Sequence, residues 1–145
     1  MIIPDVNVLI YSFREETPNY TAYRSWLLAV LTGDAAFGVS DLVLSSVVRV
    51  LTHPRIFAPP TPLEIALEFV ARIREAENAV SIIPGPRHWD IFVRLCGESN
   101  AKGNLVADAY LAAMAIEAGC EWVTTDRDFS RFPGLRWRQP LAASG

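Results

Sequence analysis

Short apolar runs that end in an acid, spaced by longer segments of helical period, most restrict the folds open to this chain. Met1 to Pro4 read as a short buried strand with Asp5 at its C-terminal end, and Cys120 to Thr124 as another, followed by Asp126. Ala36 to Val39 and Val80 to Ile83 also have strand character, and Leu135 to Trp137 offer a fifth candidate. Between these runs the pattern turns helical. Val6 to Phe13 make a first helix, and Tyr23, Trp26, Leu27, Val30 and Leu31 mark a second, with Asn19 or Thr21 to cap it and Gly33 to stop it. Leu44, Val47, Val48 and Leu51 give a third helix its apolar stripe after Ser40 or Asp41, and Thr61-Pro62-Leu63-Glu64 reads as a capping box opening a fourth that runs to about Glu77. Trp89, Phe92, Val93 and Cys96 mark a fifth helix, and the alanine-rich Leu105 to Ala118 a sixth, ended by Gly119.

This alternation predicts an α/β fold, a three-layer α/β/α sandwich around a mainly parallel sheet, in one domain spanning 1–145. Sheets of this kind bind ligands beyond the C-terminal ends of their strands. Asp5 and Asp126 are therefore expected on one rim, where Asp108, after the polar loop Ser99 to Asn104, can join them.

Composition narrows the chemistry. The net charge of −3 supplies no basic field, so any nucleic-acid contact must be local. Cys96 and Cys120 lie in no CxxC or Cys/His cluster, which argues against a disulfide scaffold or a zinc site, and no run suits a signal peptide or membrane span. A reducing cytoplasm is the expected location, with no membrane contact. Arginine outnumbers lysine twelve to one, Lys102 being the lysine; guanidinium suits phosphate pairing, and a GC-rich genome would give the same bias.

Like charges about 4 Å apart repel by a few kcal/mol at an effective dielectric near 20. Three clustered aspartates must then either take up protons or bind a hard divalent cation, and oxygen-only ligation favours Mg²⁺ or Mn²⁺ over zinc. A metal so held can activate water and offset charge on a phosphate, which is nuclease chemistry. Taken singly, each aspartate is also explained as a helix cap or surface turn.

The segments IIPDVNVLIYSF, VVRVLTHPRIF and GNLVADAYLAAMAIEAGCEWVTTDRDFSRFPGLRW, with the terminal QPL, resemble the VapC toxins of bacterial toxin–antitoxin pairs, a branch of the PIN-domain ribonucleases. The resemblance implies a Mg²⁺- or Mn²⁺-dependent endoribonuclease with an RNA substrate, a cognate antitoxin and a homodimeric state. It implies that Asp5 and Asp108 ligate the metal, that Asp126 completes the pocket and that Asp128 supports it or serves a second metal. Asn7 and Thr125 match positions that orient these acids, and Asn7 is equally well read as a helix-start residue. One departure stands out: many PIN nucleases carry a glutamate just before the VVRV segment, where this chain has Ser46. Asp41 lies five residues earlier and reads as a helix cap, so one metal fits better than two.

Arg49, His53 and Arg55 near the end of the third helix suit RNA phosphates or an antitoxin, and equally a basic helix end favoured by the macrodipole. Arg127 and Arg131 either cradle substrate phosphate or neutralise Asp126 and Asp128. Trp26, Trp89, Trp122 and Trp137 are expected in the core, and His88 at an exposed helix start. Two other functions remain open: a PIN-fold binding module without catalysis, and a phosphoacceptor or phosphatase domain. The second is weak, because Lys102 is in a polar loop and Asp5-Val6-Asn7 lacks a second aspartate.

Overall fold

A computed structural model describes residues 1–141. In chain order it contains β1 (Ile2–Pro4), α1 (Val6–Tyr11), α2 (Tyr20–Thr32), β2 (Phe37–Val39), α3 (Asp41–Leu51), α4 (Leu63–Arg74), β3 (Ala79–Ser81), α5 (His88–Ser99), α6 (Asn104–Ala118), β4 (Glu121–Val123), a 3₁₀ helix (Arg127–Arg131) and β5 (Trp137–Arg138). The strands form one sheet in the order β3-β2-β1-β4-β5, and every pair is parallel.

The inner strands read as unbroken apolar runs because helices cover both faces of a parallel sheet. Ile3, Phe37, Trp122 and Val123 are fully buried. From β1 the chain steps outward through β2 to β3, then returns by α5 and α6 to place β4 on the other side of β1. The right-handed rule for parallel crossovers puts α1–α4 on one face and α5–α6 on the other. The packing agrees: α1 lies against α2 and α3, α3 against α4, and α5 against α6. The direction of winding reverses between β1 and β4, and that switch point opens a crevice at the strand C-termini.

The alanines of α6 have a packing reason. Ala109, Ala112, Ala113 and Ala115 are fully buried, so this helix sits close to its neighbours, and Gly119, at φ 68°, ends it in the left-handed turn that glycine takes without strain. At Gly38 in β2 an added Cβ would stand 2.8 Å from Ile3 Cγ1 and 2.9 Å from Ile82 Cγ1. Gly38→Ala is therefore expected to destabilise the fold by about 1–3 kcal/mol, seen as a lower denaturant midpoint at unchanged slope.

Several local expectations are corrected. The capping box at Thr61 does not form: α4 begins after Pro62, and the Thr61 hydroxyl instead accepts from Arg14 while its N–H donates to Leu51 O at 2.8 Å. Asn19 precedes α2 in a left-handed conformation and makes no side-chain cap. Asp41 lies in the first turn of α3 and pairs with Arg74 at 2.8 Å. The third strand starts one residue earlier than its sequence pattern, and His88, though it opens α5, is buried with Nε2 2.9 Å from Tyr110 O. Trp122 is in the core and Trp26 and Trp137 pack partly against it, but Trp89 is 62 % exposed.

Candidate active site

Asp5 leaves the end of β1 at the switch point. Its N–H donates to Val123 O at 2.8 Å, which extends the β1–β4 ladder by one residue and fixes where the side chain starts. The carboxylate, only 6 % exposed, accepts from the Val6 N–H at 2.6 Å through Oδ1 and from the Thr124 hydroxyl at 2.7 Å through Oδ2. Burial outweighs both bonds and, helped slightly by the charge of Asp126, pushes its pKa up to about 6.

Thr124 joins the two strand ends. Fully buried, its hydroxyl donates to Asp5, accepts from the Asp126 N–H at 3.0 Å and receives the Asn7 amide at 3.4 Å. One donor and two lone pairs are thereby used. Asn7 also accepts from the Thr125 N–H at 3.5 Å, so Asn7 and Thr125 do meet beside Asp5, with Thr125 contributing backbone rather than side chain. Thr124 itself escaped the sequence analysis; the signal was a hydroxyl directly between an apolar strand and an acid.

Asp126 caps the 3₁₀ helix by accepting the Asp128 N–H at 2.9 Å. Asp108, in the second turn of α6, faces it across the crevice. Partial burial and then the charges of Asp126, Asp5 and Asp128, in that order, push the Asp108 pKa up to about 6. These mutual effects place the four acids in one field. Asp5, Asp108 and Asp126 line a cleft of about 450 Å³ together with Asn7, Ser46 and Arg49, and Ile10, Tyr11, Val50, Phe57 and Leu111 form its apolar part.

Asp128, Arg127 and Arg131 do not line this cleft. Asp128 is exposed and stands 3.7 Å from Arg131, a loose ion pair, while Arg127 is exposed. Arg49 is exposed at the cleft wall and pairs with no acid among the described residues. Further along α3, the His53 ring accepts the Arg55 N–H at 3.0 Å, which gives it a turn-forming role.

The donor set is entirely oxygen, as a hard divalent cation requires, and both elevated carboxyl pKa values come first from burial, joined at Asp108 by the charges of Asp126, Asp5 and Asp128. Among the described residues no three His, Cys, Asp or Glu side chains are gathered into a ready-made metal centre. Mg²⁺ needs fewer: it keeps several waters and commonly takes only one or two carboxylates from a protein.

The PIN domain model matches residues 2–135. The chain belongs to the PIN-domain family. Within it the resemblance is to the VapC branch: the chain is 40 % identical over 141 residues to VapC ribonuclease Mb2897 of Mycobacterium bovis, covering 97 % of this chain and 96 % of the relative. Solved structures share the fold. VapBC2 from Rickettsia felis, bound to a DNA fragment from its promoter, matches with a TM-score of 0.69 at 17 % identity over 96 % of this chain and 98 % of that one. A toxin–antitoxin complex from Klebsiella pneumoniae matches with a TM-score of 0.61 at 19 % identity over 97 % and 98 %. The all-parallel five-stranded sheet flanked by helices is thus the PIN architecture.

Proposed function

We propose that this PIN-domain protein is a Mg²⁺- or Mn²⁺-dependent endoribonuclease that hydrolyses RNA phosphodiesters as the toxin of a toxin–antitoxin pair in the cytoplasm. One observation carries the reading: Asp5 and Asp108, from different elements, share a cleft at the strand C-termini where both carboxyls are pushed up to about 6. Such a pocket costs free energy unless something positive enters it. The Mycobacterium bovis relative is a VapC ribonuclease, which supplies the reaction class.

Asp5 and Asp108 would supply the direct oxygen ligands, with Asp126 adding the third negative charge. When bound, the ion would provide an activated water and positive charge against the phosphate. The chain's own groups do the positioning. The Val6 N–H and the Thr124 hydroxyl fix the Asp5 carboxylate, and the Asp128 N–H fixes that of Asp126. Arg49 on the α3 wall offers a guanidinium to a phosphate oxygen.

Because Thr124 ties Asp5, Asn7 and Asp126 together, Thr124→Val should slow RNA cleavage about 10- to 100-fold while leaving the far-ultraviolet circular dichroism unchanged. A rate within twofold of wild type would remove Thr124 from the machinery.

An antitoxin partner has a surface available. An apolar groove between the end of α1, α2 and α4, lined by Phe13, Leu27, Leu28, Leu31, Phe69 and Ile73, suits an amphipathic segment, and the match to a toxin–antitoxin complex supports this reading. Self-association as a homodimer completes the proposal.

Ser46 favours the second reading, a PIN-fold binding module, because it lines the cleft where the resemblance expects a glutamate. Incubating the antitoxin-free protein with total RNA in Mg²⁺, in Mn²⁺ and in EDTA separates the two. Discrete fragments in metal that vanish in EDTA support the nuclease. No cleavage, with no Mn²⁺ bound at millimolar concentration by calorimetry, makes the chain a binding module.

A further inference from the structure

We propose that an aromatic ledge beside the acidic cleft, formed by Trp89 and Phe92 of α5 and Tyr110 of α6, stacks an unpaired base of the RNA whose backbone occupies the cleft. The inference rests on the nuclease reading and adds to it a subsite for substrate.

Trp89 is the exception among the tryptophans, 62 % exposed at the start of a well-formed helix. It is not isolated. Its ring centroid is 5.2 Å from that of Phe92, which is 5.6 Å from that of Tyr110, so three rings run from the outer side of α5 to α6. Phe92 and Tyr110 open onto a shallow depression shared with Leu42, Val106 and Ala107. Ala107 also lines the acidic cleft and directly precedes Asp108, so the depression adjoins the cleft, and Trp89, which lines neither, joins it through its contact with Phe92.

That continuity identifies the occupant. A single RNA strand held by a phosphate at the acids must lead its neighbouring nucleotides away over adjoining surface, and an aromatic face accepts any base. The charge pattern agrees. Three aspartates line the cleft and no carboxylate lines the depression, so the depression itself adds no charge that repels a phosphate, while the exposed Asp90 follows Trp89 on α5. Lys102, the sole lysine, adjoins Gly103 at its edge and makes no ion pair among the described residues. Stacking on π-faces is sequence-tolerant, so the ledge raises affinity for unpaired RNA without selecting a particular base.

The test compares wild type with Trp89→Ala, Trp89→Phe and, on the exposed face of α4, Leu67→Ala. Each is assayed for KM and kcat on a short unstructured RNA, for binding of the same RNA by fluorescence anisotropy, and for mass by sedimentation velocity. Trp89→Ala should raise KM and weaken RNA binding about 5- to 150-fold, the factor equivalent to one stacked base, with the loss falling on KM rather than kcat. Trp89→Phe should recover most of it, and Leu67→Ala should match wild type. Equal KM and equal binding for Trp89→Ala overturn the proposal. So does a loss that appears together with conversion of a dimer to a monomer, which would make the ledge an interface between two copies. If the wild type cleaves no RNA, the nuclease reading fails separately, and the anisotropy still decides whether Trp89 holds RNA.

Discussion

Asp5→Asn and Asp108→Asn should each lower the rate of RNA cleavage by at least about 10²- to 10³-fold, measured as kcat/KM on a defined RNA at saturating Mn²⁺. Asparagine keeps the volume and one oxygen of aspartate but removes its charge. At position 5 it can still accept the Val6 N–H, so the local backbone should survive and the loss would report on chemistry. The double variant should be little worse than either single one, because residues that act as a unit are not additive. Asp128→Asn provides the contrast. Its side chain is exposed, lies outside the cleft and touches only Arg131 at 3.7 Å, while its contribution to Asp126 comes from the backbone N–H, which the substitution keeps. A loss of about tenfold or less is expected there. If Asp128→Asn proved as damaging as Asp108→Asn, the site would have to extend to the 3₁₀ helix and a second ion would become the better account. Full activity of Asp5→Asn would remove the metal-binding reading at its base.

The acids were legible in the sequence because each strand-bound one ends an apolar run, and a parallel sheet brings such ends to one rim. Ser46 was placed by the resemblance rather than by any pattern, and Arg49 was left open between an RNA or antitoxin contact and a basic helix end; both line the cleft. Arg127 and Arg131 bracket Asp128 in the sequence; Arg131 pairs loosely with Asp128 at 3.7 Å, as the neutralising alternative expects, and both arginines are exposed and outside the cleft. Thr124 was passed over because a threonine after Trp122 and Val123 reads as one more strand residue, and its three hydrogen bonds reach partners that sequence spacing cannot reveal. The capping box at Thr61 failed because a tertiary demand, pairing with Leu51 and Arg14, displaced a local preference. Trp89 fits the apolar pattern of its helix and still faces solvent, since periodicity marks a face and does not show whether anything covers it.

The metal-free protein should be more stable once Asp5 is neutral, so that one substitution removes activity and strengthens the fold. The sign follows from linkage. The folded-state pKa of Asp5 is about 6 against the ordinary 3.8 of an unperturbed aspartate, so the native state binds this proton more tightly than the unfolded chain. Its contribution is fully present below about pH 4 and is lost as pH rises through about 6. Two pKa units correspond to about 3 kcal/mol, which Asp5→Asn would recover in part, since an asparagine leaves the Thr124 hydroxyl less well paired. At pH 7.5 in EDTA the variant should therefore be stabilised by about 1–3 kcal/mol, with a Tm higher by roughly 2–4 °C per kcal/mol, and the advantage should disappear near pH 4. Asp108 pulls in the same direction but is only half-buried and shares its field with Asp5, so the two do not add. Mn²⁺ should reverse the order: at a hundredfold over its Kd it stabilises the wild type by about 2.7 kcal/mol and leaves Asp5→Asn almost unmoved. Calorimetric scans of both proteins at pH 4 and pH 7.5, with and without Mn²⁺, test the whole cycle. A variant less stable than wild type at pH 7.5 in EDTA would show that the hydrogen bonds to Asp5 outweigh the cost of burying its charge, and would take away the physical reason for a cation in the cleft.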